Sequence, residues 1–186
     1  MRAPLLTALS LSLPAWAGNF NVVHLAQQQD LNIVVECDKR TQEFTLSPAT
    51  DSGTFTLPEK DAEFRIKDLK ADVCTAKADK AGRIVVIYQK DGGIHWHTVT
   101  SKAEKNRTSL RLINLTAEDV SLKMKGQTIE LAAGKDHDAG VSESLSVSVS
   151  LGDQKKQTAS AEEPTAFLGV VYPTAEGPKL HFVADR

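Results

Sequence analysis

The sequence predicts an all-β chain, an antiparallel β-sandwich of the immunoglobulin-like or a related kind with little helix. Three observations carry this. Apolar and polar residues alternate with a period of two along many short stretches, the signature of strands with one buried and one wet face. Turn residues punctuate these stretches at short intervals. Helix signals are scarce, confined to a turn near residues 25–31, "LAQQQDL", and another in "SAEEPTAF", which Pro164 limits. Many short strands between turns make a sandwich or a barrel.

The elements follow in order. Residues 1–17 read as a secretory signal: Arg2 supplies a positive start, Leu5 to Leu13 an apolar run, and Ala15-Trp16-Ala17 a small-x-small cleavage pattern before Gly18. That run is far short of the roughly 20 residues a spanning helix needs. Residues 18–186 are expected to form a single sandwich domain, with a possible subdivision near 101–109, where "SKAEKNRTS" is polar. Strands are predicted at "NVVHLA", "LNIVVEC", "EFTL", "GTFTL" and "AEFRIKDL". "RIVVIYQK" is a nearly continuous β-branched run and is assigned to a central strand buried on both faces. "SLRLINL" follows, then "VSLKMKG" and "TIELA" as a hairpin turning at Gly126 and Gln127. In "LSVSVSL", Leu145, Val147, Val149 and Leu151 are assigned to the core and the three serines between them to solvent. "FLGVVYP" and "KLHFVAD" close the chain around the turn residues of "TAEGP". No fixed-period repeat is visible.

Composition bounds the function. The chain has 22 basic residues, Arg2 among them, against 24 acidic ones, so the part after residue 17 carries a formal charge of −3. This is neither a nucleic-acid surface nor a polybasic membrane patch. Cys37 and Cys74 are an isolated pair behind a signal peptide, which reads most simply as a disulfide. The long loop it would close gives a chain-entropy stabilisation of about 4 kcal/mol.

"GGIHWHTV", residues 92–99, is the most chemically suggestive stretch. Strand residues two apart share a face, so His95 and His97 can in principle chelate one ion. A third ligand is then needed, from His24, His137, His181, Asp136 or Asp138, and the spacing selects none of them. The reading adopted is that Trp96 turns into the core and both histidines lie on the solvent face. "KDHDAG", residues 135–140, offers two carboxylates to a hard cation but lacks the further acidic positions of an EF-hand, and is read as a hairpin-like loop. No nucleophile elbow, P-loop or dinucleotide fingerprint is present. Aromatic residues are 5 % of the chain, few for the stacking platforms of a sugar-binding sandwich. Asn114 is expected to satisfy turn backbone groups at a strand end, and Gly134 to take a backbone angle that other residues resist.

The segment "RLINLTAEDVSLKMKGQTIELAAG", Arg111 to Gly134, resembles a pattern of exported bacterial β-sandwich proteins that carry an R-L-I-N-L-T…G…L-x-x-G run. It is similar in style to small envelope domains such as the alginate-acetylation accessory proteins. The resemblance implies the fold and export, and no activity. The expectation is therefore an exported, periplasmic or secreted, non-catalytic β-sandwich with a structural or protein-interaction role in the envelope. A protein partner is expected, with no nucleic acid, no integral membrane segment and no cofactor. The alternative is a small-ligand or glycan-binding module, and a distant third a metal-dependent enzyme using His95 and His97.

Overall fold

The structure is a computed structural model that describes residues 17–26, 29–58, 60–67, 69, 73–77, 82–101, 107–142 and 144–185. The predicted signal, but for Ala17, lies outside the described residues. The chain is all-β, and the described residues contain no helix. A first set of strands is β1 (Ala17–His24), β2 (Leu31–Cys37), β3 (Arg40–Leu46), β4 (Thr50–Asp51), β5 (Phe55–Pro58), β6 (Asp61–Ile66), β7 (Cys74–Lys77), β8 (Arg83–Lys90) and β9 (Gly93–Thr100). A second is β10 (Thr108–Asn114), β11 (Val120–Met124), β12 (Gln127–Leu131), β13 (Asp136–Ser142), β14 (Ser146–Leu151), β15 (Gln157–Ser160), β16 (Ala166–Tyr172) and β17 (Lys179–Asp185). Segment 101–107 separates the two sets.

The two sets have one connectivity. The first makes an outer sheet β3-β2-β6-β7 and an inner sheet β4-β1-β8-β9, with β5 also on β1. The second makes an outer sheet β12-β11-β14-β15 and an inner sheet β13-β10-β16-β17. Pairing is antiparallel except at β1–β8 and β10–β16, equivalent parallel pairs at the centre of each inner sheet. The hydrogen bonds repeat too. Leu25 N–H donates to the Ile87 carbonyl at 2.7 Å, and Leu115 N–H to that of Val171 at 2.8 Å. Ala49 N–H donates to His24 and Gly134 N–H to Asn114, at 2.8 and 2.9 Å. Lys67 N–H to Asn32 and Gly152 N–H to Ser121 are both 2.8 Å.

Three apolar layers hold the four sheets. The first, between outer and inner sheets of the N-terminal set, includes Phe20, Ile33, Val35, Phe64, Val85 and Ile87. The third, in the C-terminal set, includes Leu112, Leu122, Val149, Phe167 and Val171. The middle layer joins the two inner sheets: Val23, Ile84, Val86 and Val99 meet Ile113, Leu168, Val170 and Val183. This explains the continuous apolar run of β8. Ile84 and Val86 point into the middle layer and Val85 and Ile87 into the first, so none of these four positions meets water. β16 is buried throughout for the same reason.

Several expectations need correcting. Leu145 is 39 % exposed, because the strand starts one residue later; Val147, Val149 and Leu151 are buried as alternation requires. "KDHDAG" is largely strand: β13 pairs with β10 from Asp136 onward. The β11–β12 turn is Lys125-Gly126, with φ of +50° and +78° and Met124 facing Gln127. Left-handed angles at both turn residues match the right-handed twist of the flanking strands. Gly134 does take a left-handed angle, φ +68°.

The predicted disulfide is also corrected. Cys37 and Cys74 are free and buried. Their strands, β2 and β7, lie on opposite sides of β6, where Cys37 faces Ala62 and Cys74 faces Phe64. Two strand spacings of about 4.8 Å and an offset of two residues put the α-carbons roughly 12 Å apart. A disulfide tolerates about 7 Å at most.

Candidate functional site

The histidine stretch lies on β9, the last strand of its inner sheet. Alternation sends Ile94 and Trp96 to the first apolar layer and Val99 to the middle one. His95 and His97 share the Val99 face. Their fates differ because a second inner sheet covers only part of that face. His95 is exposed; its ring lies 5.7 Å from that of Tyr88, and its Nε2 is 3.1 Å from the Lys90 carbonyl oxygen. His97 is half-buried at the seam between the two halves, not on the solvent face as the sequence suggested. Trp96 packs as expected, though only half-buried.

His97 has a counterpart. It faces Val86 on β8, as His181 faces Val170 on β16, and these are equivalent positions of the two halves. Burial, and then the Arg111 guanidinium, hold His97 below the ordinary imidazole value, with Asp136 acting the other way. Burial likewise lowers His181, opposed by Asp51. Asp51 faces Val23 as Asp136 faces Ile113, so these acids are equivalent as well. Each half thus sets one histidine near an acid of the other. Asp136 is held by Arg111, whose Nε donates to it at 2.8 Å while Nη1 donates to the Thr100 carbonyl at 3.2 Å.

The other proposed ligands are dispersed. His24 is buried at the end of β1, its Nε2 donating to the Gln29 carbonyl at 2.9 Å. Asp138 accepts from Gly140 N–H within its own strand, and His137 is exposed on β13. Among the described residues no three His, Cys, Asp or Glu side chains converge as metal ligands. The two thiols serve the first core: burial raises both pKa values, which keeps them protonated and poor as nucleophiles.

A further concavity was not anticipated from the sequence. It is a groove of about 470 Å³ on the outer sheet of the second half, where β11 and β14 part. Their ladder consists of Leu122–Leu151 and Lys123–Ser150. Beyond it, Lys125 at the hairpin turn and Lys156, just before β15 on the other side of β14, line the groove together with Ser146 and Ser148. Lys123 also lines it and holds Asp153 at 2.8 Å. No described carboxylate lines the groove. Behind it lies a cavity of about 20 Å³ that shares Lys125 and Ser148 with the groove. Thr108 lines this cavity, 1 % exposed, and its hydroxyl has no partner. The serine alternation of β14 was visible in the sequence, but nothing there showed that the neighbouring hairpin stops short of it.

No protein-family model matches the chain, and no curated protein matches it either.

Proposed function

We propose that the chain is an exported, non-catalytic protein of the bacterial envelope that works by holding a protein partner. The observation that supports this best is the middle apolar layer. It joins two sandwiches into one four-sheet body and leaves the outer sheets free to present strand edges and polar faces. The signal-like residues 1–17 and the likeness of Arg111–Gly134 to exported sandwich proteins support the compartment. The alternative, a small-ligand or glycan-binding module, is favoured by a second open cleft. It holds about 280 Å³ between the equivalent hairpin ends Gln89–Gly92 and Pro173–Ala175.

The test has two parts. N-terminal sequencing of protein from fractionated cells should begin at Gly18 in the envelope or periplasmic fraction; an uncleaved cytoplasmic chain would defeat the export reading. A photoreactive residue placed at Glu63 on the first outer sheet, or at Ser148 on the second, should yield a discrete protein adduct in living cells. Adducts from neither position would defeat the interaction reading.

A further inference from the structure

The groove beside β14 has the shape of a missing strand segment. In the first half the β2–β3 hairpin runs out to Cys37 and Arg40. β2 therefore pairs with β6 all the way from Ile33–Ile66 to Cys37–Ala62. In the second half Leu122–Leu151 takes the place of Ile33–Ile66, as the matching Lys67–Asn32 and Gly152–Ser121 bonds show. Counting along the strands, Ser148 takes the place of Glu63 and Val147 that of Ala62. The partners those two residues have in β2, Glu36 and Cys37, have no counterpart, because the hairpin has already turned at Lys125-Gly126. The groove is the space they would fill.

The edge it exposes is ready for pairing. Ala161 N–H donates to the Leu145 carbonyl on the β15 side, and Gly152 N–H to Ser121 on the β11 side. Antiparallel alternation then turns the backbone groups of residues 146, 148 and 150 toward β11. Ser150 has its partner in Lys123, and Ser146 N–H is 3.3 Å from Ser144 Oγ. The next rung, Ser148 with Lys125, is not made. An edge of this kind is a template for an added strand.

Charge and chemistry narrow the occupant. Lys125 and Lys156 line the groove without an opposing described carboxylate, so it favours acidic side chains. Among the described residues no aromatic side chain lines it, which removes the stacking platform that sugars and bases use. The unpartnered Thr108 hydroxyl behind Ser148 is a further polar group without a bond.

We propose that this groove receives an extended acidic segment of a partner protein, which adds to the open edge of β14 at Ser148 and sets its carboxylates against Lys125 and Lys156. The inference rests on the reading of the chain as a protein-interaction module and adds where the partner docks and what it must carry. Main-chain bonds to Ser148 supply strand pairing, and the two lysines select acidic over basic segments.

The test uses the full mature chain and a capped hexapeptide of alternating valine and glutamate, with the valine–lysine peptide and an oligo-uronate as controls. The valine–glutamate peptide should bind and slow amide exchange at Ser148. Lys125→Glu with Lys156→Glu should weaken it at least tenfold, and Ser148→Pro, which removes the edge N–H, should do the same with the fold intact by circular dichroism. Failure of the acidic peptide to bind, binding indifferent to both variants, or binding of the oligo-uronate instead would overturn the proposal. In cells, the photoreactive residue at Ser148 should capture an acidic, extended stretch, identified by mass spectrometry. Adducts from Glu63 alone would sink this inference and leave the interaction reading standing. Adducts from neither position would remove the interaction reading itself.

Discussion

A Cβ placed on Gly169 would lie 2.7 Å from Leu112 Cδ2 and 3.3 Å from Phe182 Cε1. This glycine is set by close packing between neighbouring strands of the second inner sheet. Gly169→Ala should cost about 1–3 kcal/mol through overpacking, read as a lower urea midpoint at unchanged slope. On β14, Val147→Asp places an unpaired charge in the third core and should cost several kcal/mol, on the order of 3. Ser146→Asp and Leu145→Asp should each shift stability by less than about 0.5 kcal/mol. A severe loss from Leu145→Asp would restore the assignment made from alternation alone. That assignment failed at Leu145 because alternation identifies a face but not the residue at which pairing begins. The free cysteines follow from strand order, and both thiols should resist alkylation in the folded protein and react after denaturation. A mass two hydrogens lower in the oxidised protein would refute this.

At the scale of elements, the corner after each inner strand shows how one geometry is met by two chemistries. Asn114 is fully buried and donates from Nδ2 to the Glu118 and Leu131 carbonyls, at 2.8 and 3.0 Å, while its Oδ1 accepts from Thr116 N–H at 2.9 Å. Asn114→Leu would leave these groups without partners and should cost about 2–3 kcal/mol. The corner's left-handed residue is Gly134 in the second half and Ala49, φ +60°, in the first. A Cβ there crowds the following carbonyl. Ala49→Gly should therefore stabilise by about 0.5–1 kcal/mol and Gly134→Ala destabilise by about 1 kcal/mol, both read from denaturant midpoints. The signs are the point, since a propensity argument predicts the reverse, Ala49→Gly destabilising and Gly134→Ala stabilising. Asn114 and Gly134 were legible in the sequence, because a polar residue ending a strand and a glycine after one have few structural uses. Ala49 carried no signal, since alanine fits almost anywhere.

For the whole molecule, the seam makes stability depend on pH. His97 and His181, and with them the buried His24, have folded pKa values lowered chiefly by burial. The unfolded chain therefore takes up protons near pH 6.5 that the folded chain does not. Their contribution to stability is full above that value and is lost as pH falls from about 6.5 toward the lowered folded values. Thermal melts between pH 7.5 and 5 should show the loss, and His97→Gln with His181→Gln should flatten the slope while His24 keeps its share. An unchanged slope in the double variant would mean that the seam does not bury these rings. Neither ring could be placed from sequence, because each is covered by strands of the other half.

What the sequence determined by itself was the strand class, most strand positions and the buried faces of β8 and β14. These rest on a period of two, which is a property of neighbours along the chain. The tertiary structure alone decided how the strands assort. The shared connectivity of the two halves leaves no fixed-period repeat, because equivalent core positions need only similar volume and polarity, as Val22-Val23 and Leu112-Ile113 show, and core packing asks for little more. The cysteine separation, the half-burial of His97 and the groove at β14 all depend on which strand lies beside which. Strand order is set by contacts distant in sequence, and no local pattern encodes them.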